Sequence, residues 1–443
     1  MPTSATADLD LRLPLVDAAD RGPVVHRFHH RGADDERVRE AARTLLADVQ
    51  ARGDAALLDA AERFDGCRPD PLFATDDELD RALAALDHDL RESLELAIGN
   101  VRRFHEKQRR ESWFTEDGDG VVLGQRLVPV DRAGLYVPAG TAPLPSSLIM
   151  TAVAAQAAGV REVVVATPPS ADGRPDPTIL ATARLPGVDR VLASGGAQAV
   201  GALAYGTETV PAVDVIAGPG NAYVAAAKRE VFGRVGIDSV AGPSEIVVLA
   251  DAAADPRFIA ADLLSQAEHD REAAAVLVTP SRALAEQVRE EVDALLQTLP
   301  RREQLDAALQ NGASACIVTG SLDEAVEVVN ELAPEHLELL CADPWAVMGQ
   351  VRHAGAIFLG PYAPEPVGDY LAGPNHVLPT GGTARYASPL GVDTFMRRQS
   401  VIAYSAARLR ETGPHVVRLA HAEGLAAHAA AVSVRLDALS SDR

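Results

Sequence analysis

Val213-Asp214-Val215-Ile216-Ala217-Gly218-Pro219-Gly220-Asn221 passes from an apolar run through a glycine turn into a helix. The β-branched residues over Val213 to Ile216 predict a buried strand. Gly218 and Gly220 permit a tight turn and close approach of a ligand, and the helix amino end beyond them receives a phosphate or carboxylate. A complete dinucleotide fingerprint wants a third glycine three residues after Gly220, and position 223 is Tyr. Taken singly, the loop reads as a pair of turn glycines. A second loop, Ser194-Gly195-Gly196-Ala197-Gln198, follows the strand expected at Val191 to Ala193. Two such loops at adjacent strand ends shift the balance toward a nucleotide.

Outward from these loops the same alternation recurs. Strands are expected at Val163 to Ala166, Ile246 to Leu249, Ala275 to Val278, Cys316 to Val318 and Ala356 to Leu359. Helices are expected between them at Pro256 to Glu268, Arg282 to Leu299 and Leu322 to Leu332. The fold class that follows is α/β: two successive Rossmann-like units with mostly parallel sheets and an incomplete dinucleotide fingerprint, meeting near Asp238 to Ala241, with helical segments at both ends. The expected layout is an arm over 1–30 and a helical part over 31–125 packing with a 237–385 α/β unit. A Rossmann-like, NAD-binding unit covers 126–236, and a C-terminal helical dimerisation segment covers 386–443. Glu36 to Gln50 and Asp76 to Arg109 carry the helical spacing of the amino-terminal part. Two facing α/β units hold ligands at the carboxyl ends of their strands, which is where polar residues are sought.

Composition narrows the class of function. The chain has 443 residues, with 41 Lys+Arg against 63 Asp+Glu and a formal net charge of −22. Such a charge repels phosphate backbones and anionic lipid, arguing against nucleic-acid and membrane partners and for small-molecule chemistry. Cys67, Cys316 and Cys341 form no CxxC pair, which excludes a disulfide framework and a thiolate zinc site and fits a reducing cytoplasm. Asp8, Asp10, Asp17 and Asp20 near the start predict no secretory signal. The uncharged stretch 133–160 imitates a membrane span, but Pro138, Gly140, Pro143 and Pro145 mark it as a loop entering a buried helix.

Several polar constellations stand out, each with a bland reading beside it. Gln266 and His269, three apart at a helix end, are metal-competent or a hydrogen-bonding pair. Glu335 and His336 follow Pro334 at an element boundary and suit paired proton transfer, or lie at the surface. Asp369 and His376 lie in a Gly- and Pro-dense loop that is long enough to be functional. Glu423 and His428, five apart, point about 140° apart on a regular helix, so sharing a centre requires a break, for which Gly424 offers a place. His421 shares a face with His428 and is a plausible decoy, while His26, His29 and His30 read as surface.

Together these stretches resemble the histidinol dehydrogenase family. The resemblance runs through Gly134-Leu135-Tyr136-Val137-Pro138, Gly218-Pro219-Gly220-Asn221, Ala241-Gly242-Pro243-Ser244-Glu245, Ser265-Gln266-Ala267-Glu268-His269 and Ala333-Pro334-Glu335-His336. It continues from Gly368-Asp369-Tyr370 to Asn375-His376 and ends at Glu423-Gly424-Leu425 with His428. Ala139 and Ser239 depart from the usual residues, away from these groups. The resemblance implies one Zn2+ per subunit with Gln266, His269, Asp369 and His428 as ligands. It implies Glu335 and His336 as the acid/base pair, and Tyr136, Gln198 and Asn221 as NAD contacts. Substrate contacts would be Ser244, Gln266, His269, His336, Asp369, His376, Glu423 and His428. The implied activity is a four-electron oxidation of L-histidinol to L-histidine through L-histidinal with two NAD, the last step of histidine biosynthesis. A cytoplasmic homodimer is implied, its C-terminal segments completing each other's sites. The alternative is a related NAD-dependent dehydrogenase of another hydroxyl substrate, such as a sulfonated propanediol.

Overall fold

The strand Glu245–Ala250 is buried at all six positions, and its successive side chains enter opposite faces of one sheet. Ile246, Val248 and Ala250 pack with the helices Pro256–Ala267 and Arg282–Leu296, whereas Val247 and Leu249 pack with Gly22–His29 and Leu322–Leu332. This two-sided core is what a near-continuous apolar run produces in a parallel sheet. The computed structural model describes residues 12–32, 36–117, 120–139 and 142–441. Asp8, Asp10 and Gly140, used in reading the sequence, lie outside the described residues, as do 1–11 of the expected arm.

The strands in chain order are β1 (Leu15–Asp17), β2 (Trp113–Asp117), β3 (Val121–Pro129), β4 (Arg132–Tyr136), β5 (Glu162–Thr167), β6 (Arg190–Ala193) and β7 (Val215–Ala217). They continue as β8 (Gly236–Ile237), β9 (Glu245–Ala250), β10 (Ala274–Thr279), β11 (Ala315–Val318), β12 (His336–Leu340), β13 (Ala356–Leu359) and β14 (Met396–Tyr404). One parallel sheet has the order β6-β5-β4-β7-β8, and a second has β1-β11-β10-β9-β12-β13. In both, chain order runs one way from a central strand and then reverses to its other side. Each reversal is a topological switch point, beside β4 and beside β9.

The chain divides into two compact units, Met1–Gln108 with Asp131–Phe395, and Arg109–Val130 with Met396–Arg443. The first holds both parallel sheets. The second holds the antiparallel sheet β14-β3-β2 and the helices Ala406–Ala422 and Ala426–Ser441.

Several sequence expectations need correction. The helices over 36–106 do not pack mainly on the 237–385 segment. Ala42, Leu46, Val49, Ala56 and Leu57 share a core with Val164, Leu192, Val200 and Leu203 around the first sheet. Outside that sheet's other helices, Asp76–Ala85 packs on Pro177–Arg184 and His88–Glu106 on Pro145–Ala158. The expected helix Asp76 to Arg109 is two helices, because Leu86 leaves helical geometry and Asp87 caps the second by accepting from the N–H groups of Asp89 and Leu90. The stretch 133–160 opens with β4 rather than loop, although Pro145–Ala158 is the buried helix expected. The strand placed at Val213 to Ile216 runs over Val215–Ala217. Neither the amino-terminal part nor the segment after 386 is purely helical. β2 and β3 pair with β14, whose exposed alternation carries little of the apolar signal that marks a strand. No described helix is long and apolar enough to cross a membrane.

Candidate active site

The first sheet presents its expected residues at its carboxyl edge. Tyr136 ends β4, and its hydroxyl accepts the N–H of Gly196 at 3.0 Å, tying β4 to the loop after β6. Gln198 lies buried in the first turn of the helix Gly196–Tyr205. Gly218 follows β7 at φ +117°, where a Cβ would meet the carbonyl oxygen of Tyr136 at 2.2 Å. Its N–H donates to Asp238 at 2.7 Å and its carbonyl accepts from Lys228 Nζ at 3.0 Å, the two side chains forming a buried ion pair. Asn221 caps the helix Ala222–Val231, its Oδ1 accepting from Tyr223 at 3.1 Å and Val224 at 3.2 Å. Two helix amino ends, carrying partial positive charge, therefore sit at this edge.

The second sheet reverses the expectation of a carboxyl-edge site. Ser244 and Glu245 stand at the start of β9, and Glu335 and His336 at the start of β12, so this sheet contributes its amino edge. The helices Pro256–Ala267 and Leu322–Leu332 end at the same edge, bringing Gln266 and His269 from one and Glu335 and His336 from just beyond the other. Helix carboxyl ends carry partial negative charge and favour cations. The two sheets thus offer edges of opposite electrostatic character.

The cation-favouring edge also has the donors. Gln266 is fully buried, and neither its amide oxygen nor its amide nitrogen has a hydrogen-bond partner. An unsatisfied buried amide is costly, so these atoms suit a ligand that pairs with them. Ligand atoms of His269, Glu365 and Asp369 all lie within 4.8 Å of one another. Asp369 sits on a π-helical turn, Gly368–Ala372, instead of the open loop its Gly and Pro content suggests. Ser265 Oγ donates to Glu365 Oε2 at 3.2 Å, linking the neighbour of Gln266 to the group. The set is nitrogen and oxygen donors without thiolate, chemistry that zinc accepts.

Glu335 and His336 are buried beside it. Glu335 Oε2 accepts the N–H of Glu245 at 2.9 Å and lies 3.7 Å from His336 Nδ1, and His336 Nε2 lies 3.7 Å from Asp369 Oδ1. Burial pushes the Glu335 carboxyl up to about 7; His336 and the Glu245 N–H oppose this, and the Glu245 and Asp369 carboxylates add to it. Burial works against a charged His336 ring, yet the Glu335 and Asp369 carboxylates outweigh it and bring the ring up to about 10. For Asp369, burial opposes ionisation, but His336 and His376 hold the carboxyl well below its ordinary range. His376 Nδ1 lies 2.9 Å from the carbonyl oxygen of Asp369 and its Nε2 3.2 Å from Ser147 Oγ. Ser147 belongs to Pro145–Ala158, the helix that leaves the carboxyl edge of the first sheet, so the two edges meet.

Glu423 and His428 belong to the second compact unit, unlike the other candidate residues. Glu423 ends the helix Ala406–Ala422, Gly424 breaks it at φ +75°, and exposed His428 lies in Ala426–Ser441. This is the interruption that their spacing requires. Sequence reasoning missed Glu365, although it stands one helical turn before Asp369, and Ser147, which nothing in the sequence ties to His376. It quoted Glu245 inside a motif without giving it a part. The thiols of Cys316 and Cys341 are pushed up to about 12 by burial, so neither is poised as a thiolate nucleophile.

With this geometry in view, comparisons with known proteins agree. A family model described as histidinol dehydrogenase matches residues 29–436. The histidinol dehydrogenase of Halalkalibacterium halodurans is 55% identical over 397 residues, covering 90% of this chain and 93% of its own. That of Geobacillus kaustophilus is 55% identical over 416 residues, covering 94% and 97%. The crystal structure of histidinol dehydrogenase from Elizabethkingia anophelis superposes with a TM-score of 0.90 at 34% identity, covering 97% of this chain and 99% of that one.

Proposed function

The chain belongs to the histidinol dehydrogenase family, and from that premise we propose that it oxidises L-histidinol to L-histidine in two NAD-dependent steps at a zinc-containing site. At the coarser level it is an NAD-dependent oxidoreductase, a histidinol dehydrogenase acting in the last step of histidine biosynthesis. The observation that carries the finer reading is the buried Glu335/His336 pair beside nitrogen and oxygen donors that include an unsatisfied Gln266 amide. The curated relatives favour histidinol over a sulfonated diol.

Gln266, His269, Asp369 and His428 would hold the Zn2+, one per subunit, and Ser244, His336, His376 and Glu423 would join the ligands in contacting substrate. When bound, the ion supplies positioning and Lewis-acid polarisation. Tyr136, Gln198 and Asn221 in the 126–236 unit would contact NAD, whose pyrophosphate suits the two helix amino ends. The nicotinamide supplies the hydride acceptor, once per oxidation. His336 Nε2 takes the hydroxyl proton as the C–H bond gives up its hydride, leaving the aldehyde. Glu335 then removes a proton from water attacking that aldehyde while His336 returns its proton to the aldehyde oxygen, giving the hydrate. The hydrate loses a hydride to a second NAD and a proton to the again neutral His336, giving the carboxylic acid, which ionises to the carboxylate. A cation on Asp369 weakens the carboxylate field that keeps His336 charged, favouring the neutral ring this role needs.

A cytoplasmic homodimer with shared sites completes the proposal, the 386–443 segment reaching the partner. In its support, the second unit exposes Trp113, Phe114, Ile402, Leu419 and Val434, each more than half accessible. The test is an assay of histidinol-dependent NADH formation alongside metal analysis of the purified protein. Two NADH per histidine and one zinc per subunit are expected. A zinc-loaded protein that forms no NADH from histidinol would overturn the proposal.

A further inference from the structure

Glu245 opens β9 beside β12, in a register where Ile246 faces His336. Its N–H donates to Glu335 Oε2 at 2.9 Å, and its carbonyl oxygen lies 3.1 Å from His336 Nδ1. Its carboxylate accepts the Glu335 N–H at 3.2 Å and the Gly381 N–H at 3.1 Å, and pairs with the guanidinium of Arg31. Both side chains of that ion pair are sealed, at 1% and 0% exposure. A charge this deep persists only when paired and hydrogen-bonded, and here the partners are the backbone of one proton-transfer residue and the loop that follows His376. A carbonyl only accepts, so the Nδ1 facing it bears the proton of the neutral ring and Nε2 keeps the lone pair. His336 Nε2 is buried with no close hydrogen-bond partner, Asp369 Oδ1 standing 3.7 Å away, and it faces the position a substrate hydroxyl would take.

We propose that Glu245, locked by Arg31, is a positioning residue for the oxidation: it fixes the Glu335 carboxylate and sets the His336 tautomer so that Nε2 receives the substrate proton. The inference rests on Glu335 and His336 being the acid/base pair. The Glu245 side chain is sealed from solvent and acts on the site only through Glu335 and His336. It acts by holding the starts of two neighbouring strands through reciprocal hydrogen bonds, one rung beyond the sheet ladder. Glu245→Gln places an NH2 where three donors converge, so the two strand starts lose their alignment even if the fold survives.

The test compares Glu245→Gln, Arg31→Lys and the double variant Arg31→Met/Glu245→Gln with the wild type. Readouts are kcat and KM for histidinol and for histidinal, zinc content and Tm. Glu245→Gln is expected to lower kcat on both substrates about 10- to 100-fold, with KM and zinc content little changed. Arg31→Lys, which keeps the charge, is expected to retain most of the activity. The double variant removes both buried charges, so its Tm recovers while kcat stays low. If kcat returns together with Tm, Glu245 is merely structural and the inference fails, as it does if Glu245→Gln keeps wild-type kcat. A wild-type protein inactive on histidinol would sink the functional reading instead.

Discussion

At the scale of single residues, the site joins groups whose environments push them in opposite directions. Glu335 is held up to about 7 by burial, opposed by His336 and the Glu245 N–H and reinforced by the Glu245 and Asp369 carboxylates, so its base form grows in as pH rises through that value. A water-activating carboxylate works only when ionised. We therefore expect the rate of histidinal oxidation to climb with pH along an acid limb centred near 7. Glu335→Gln should abolish that limb and cut aldehyde oxidation by about two to four orders of magnitude, while sparing alcohol oxidation more. A pH profile on histidinal that is flat between 5.5 and 8, about the range of an unshifted carboxylate's plateau, would remove the role. Gln266 offers a test independent of turnover. Its buried amide is unsatisfied, so Gln266→Leu should stabilise the metal-free protein by about 1–3 kcal/mol while weakening zinc retention. Thermal melts with and without zinc would show a higher apo Tm and a smaller zinc-induced rise. Unchanged zinc stabilisation in the variant would rule Gln266 out as a ligand. Of these residues, Glu335, His336, Gln266 and Asp369 were legible as reactive types in the sequence. Their surroundings were not, because burial and the approach of Glu245 or Glu365 arise from strand pairing and from a turn geometry that local pattern does not encode.

Among the elements, what the sequence disclosed was the buried parallel strands, since apolar runs of four to six residues flanked by turns have few other readings. It failed on β14, mostly exposed along its length, and on which sheet the amino-terminal helices would cover, a choice made by shape complementarity between apolar stripes. It also misjudged the edge of the second sheet. The rule of ligands at strand carboxyl ends follows from helix amino ends that favour anions, and a cation reverses it. The glycine turns can be ranked on the same structural grounds. At Gly218 a Cβ would strike the Tyr136 carbonyl oxygen at 2.2 Å and φ is +117°, whereas Gly424 at φ +75° has open space. Gly424→Ala should cost about 1 kcal/mol for the left-handed backbone alone. Gly218→Ala should cost more and raise the KM for NAD severalfold, because the loop cannot shift without breaking its links to Asp238 and Lys228. Equal stability losses with unaltered KM for NAD in both variants would separate the Gly218 loop from the cofactor.

For the whole molecule, the decisive arrangement is the division of the proposed site residues between two compact units. Glu335, Gln266, His269 and Asp369 lie in one, Glu423 and His428 in the other. That other unit also exposes large apolar side chains, Ile402 at 70% and Leu419 at 66%. The proposed homodimer, with the C-terminal segment reaching the partner, would cover these side chains and complete the sites by one symmetric contact. Subunit mixing separates it from a self-contained subunit. His428→Ala and Glu335→Ala proteins, each inactive alone, would be unfolded, refolded together and assayed. In a shared architecture each hybrid dimer holds one site with both defects and one with neither. Random pairing makes half the dimers hybrid, so recovery should approach about a quarter of wild-type activity. If each subunit builds its own site, every site in every dimer carries one lesion and nothing returns. Because His428→Ala removes a ligand while Glu335→Ala does not, zinc content gives a second readout. The hybrid, and the mixed population on average, should bind about one zinc per pair of sites, whichever subunit supplies the ligand, whereas only activity distinguishes whose ligand completes whose site.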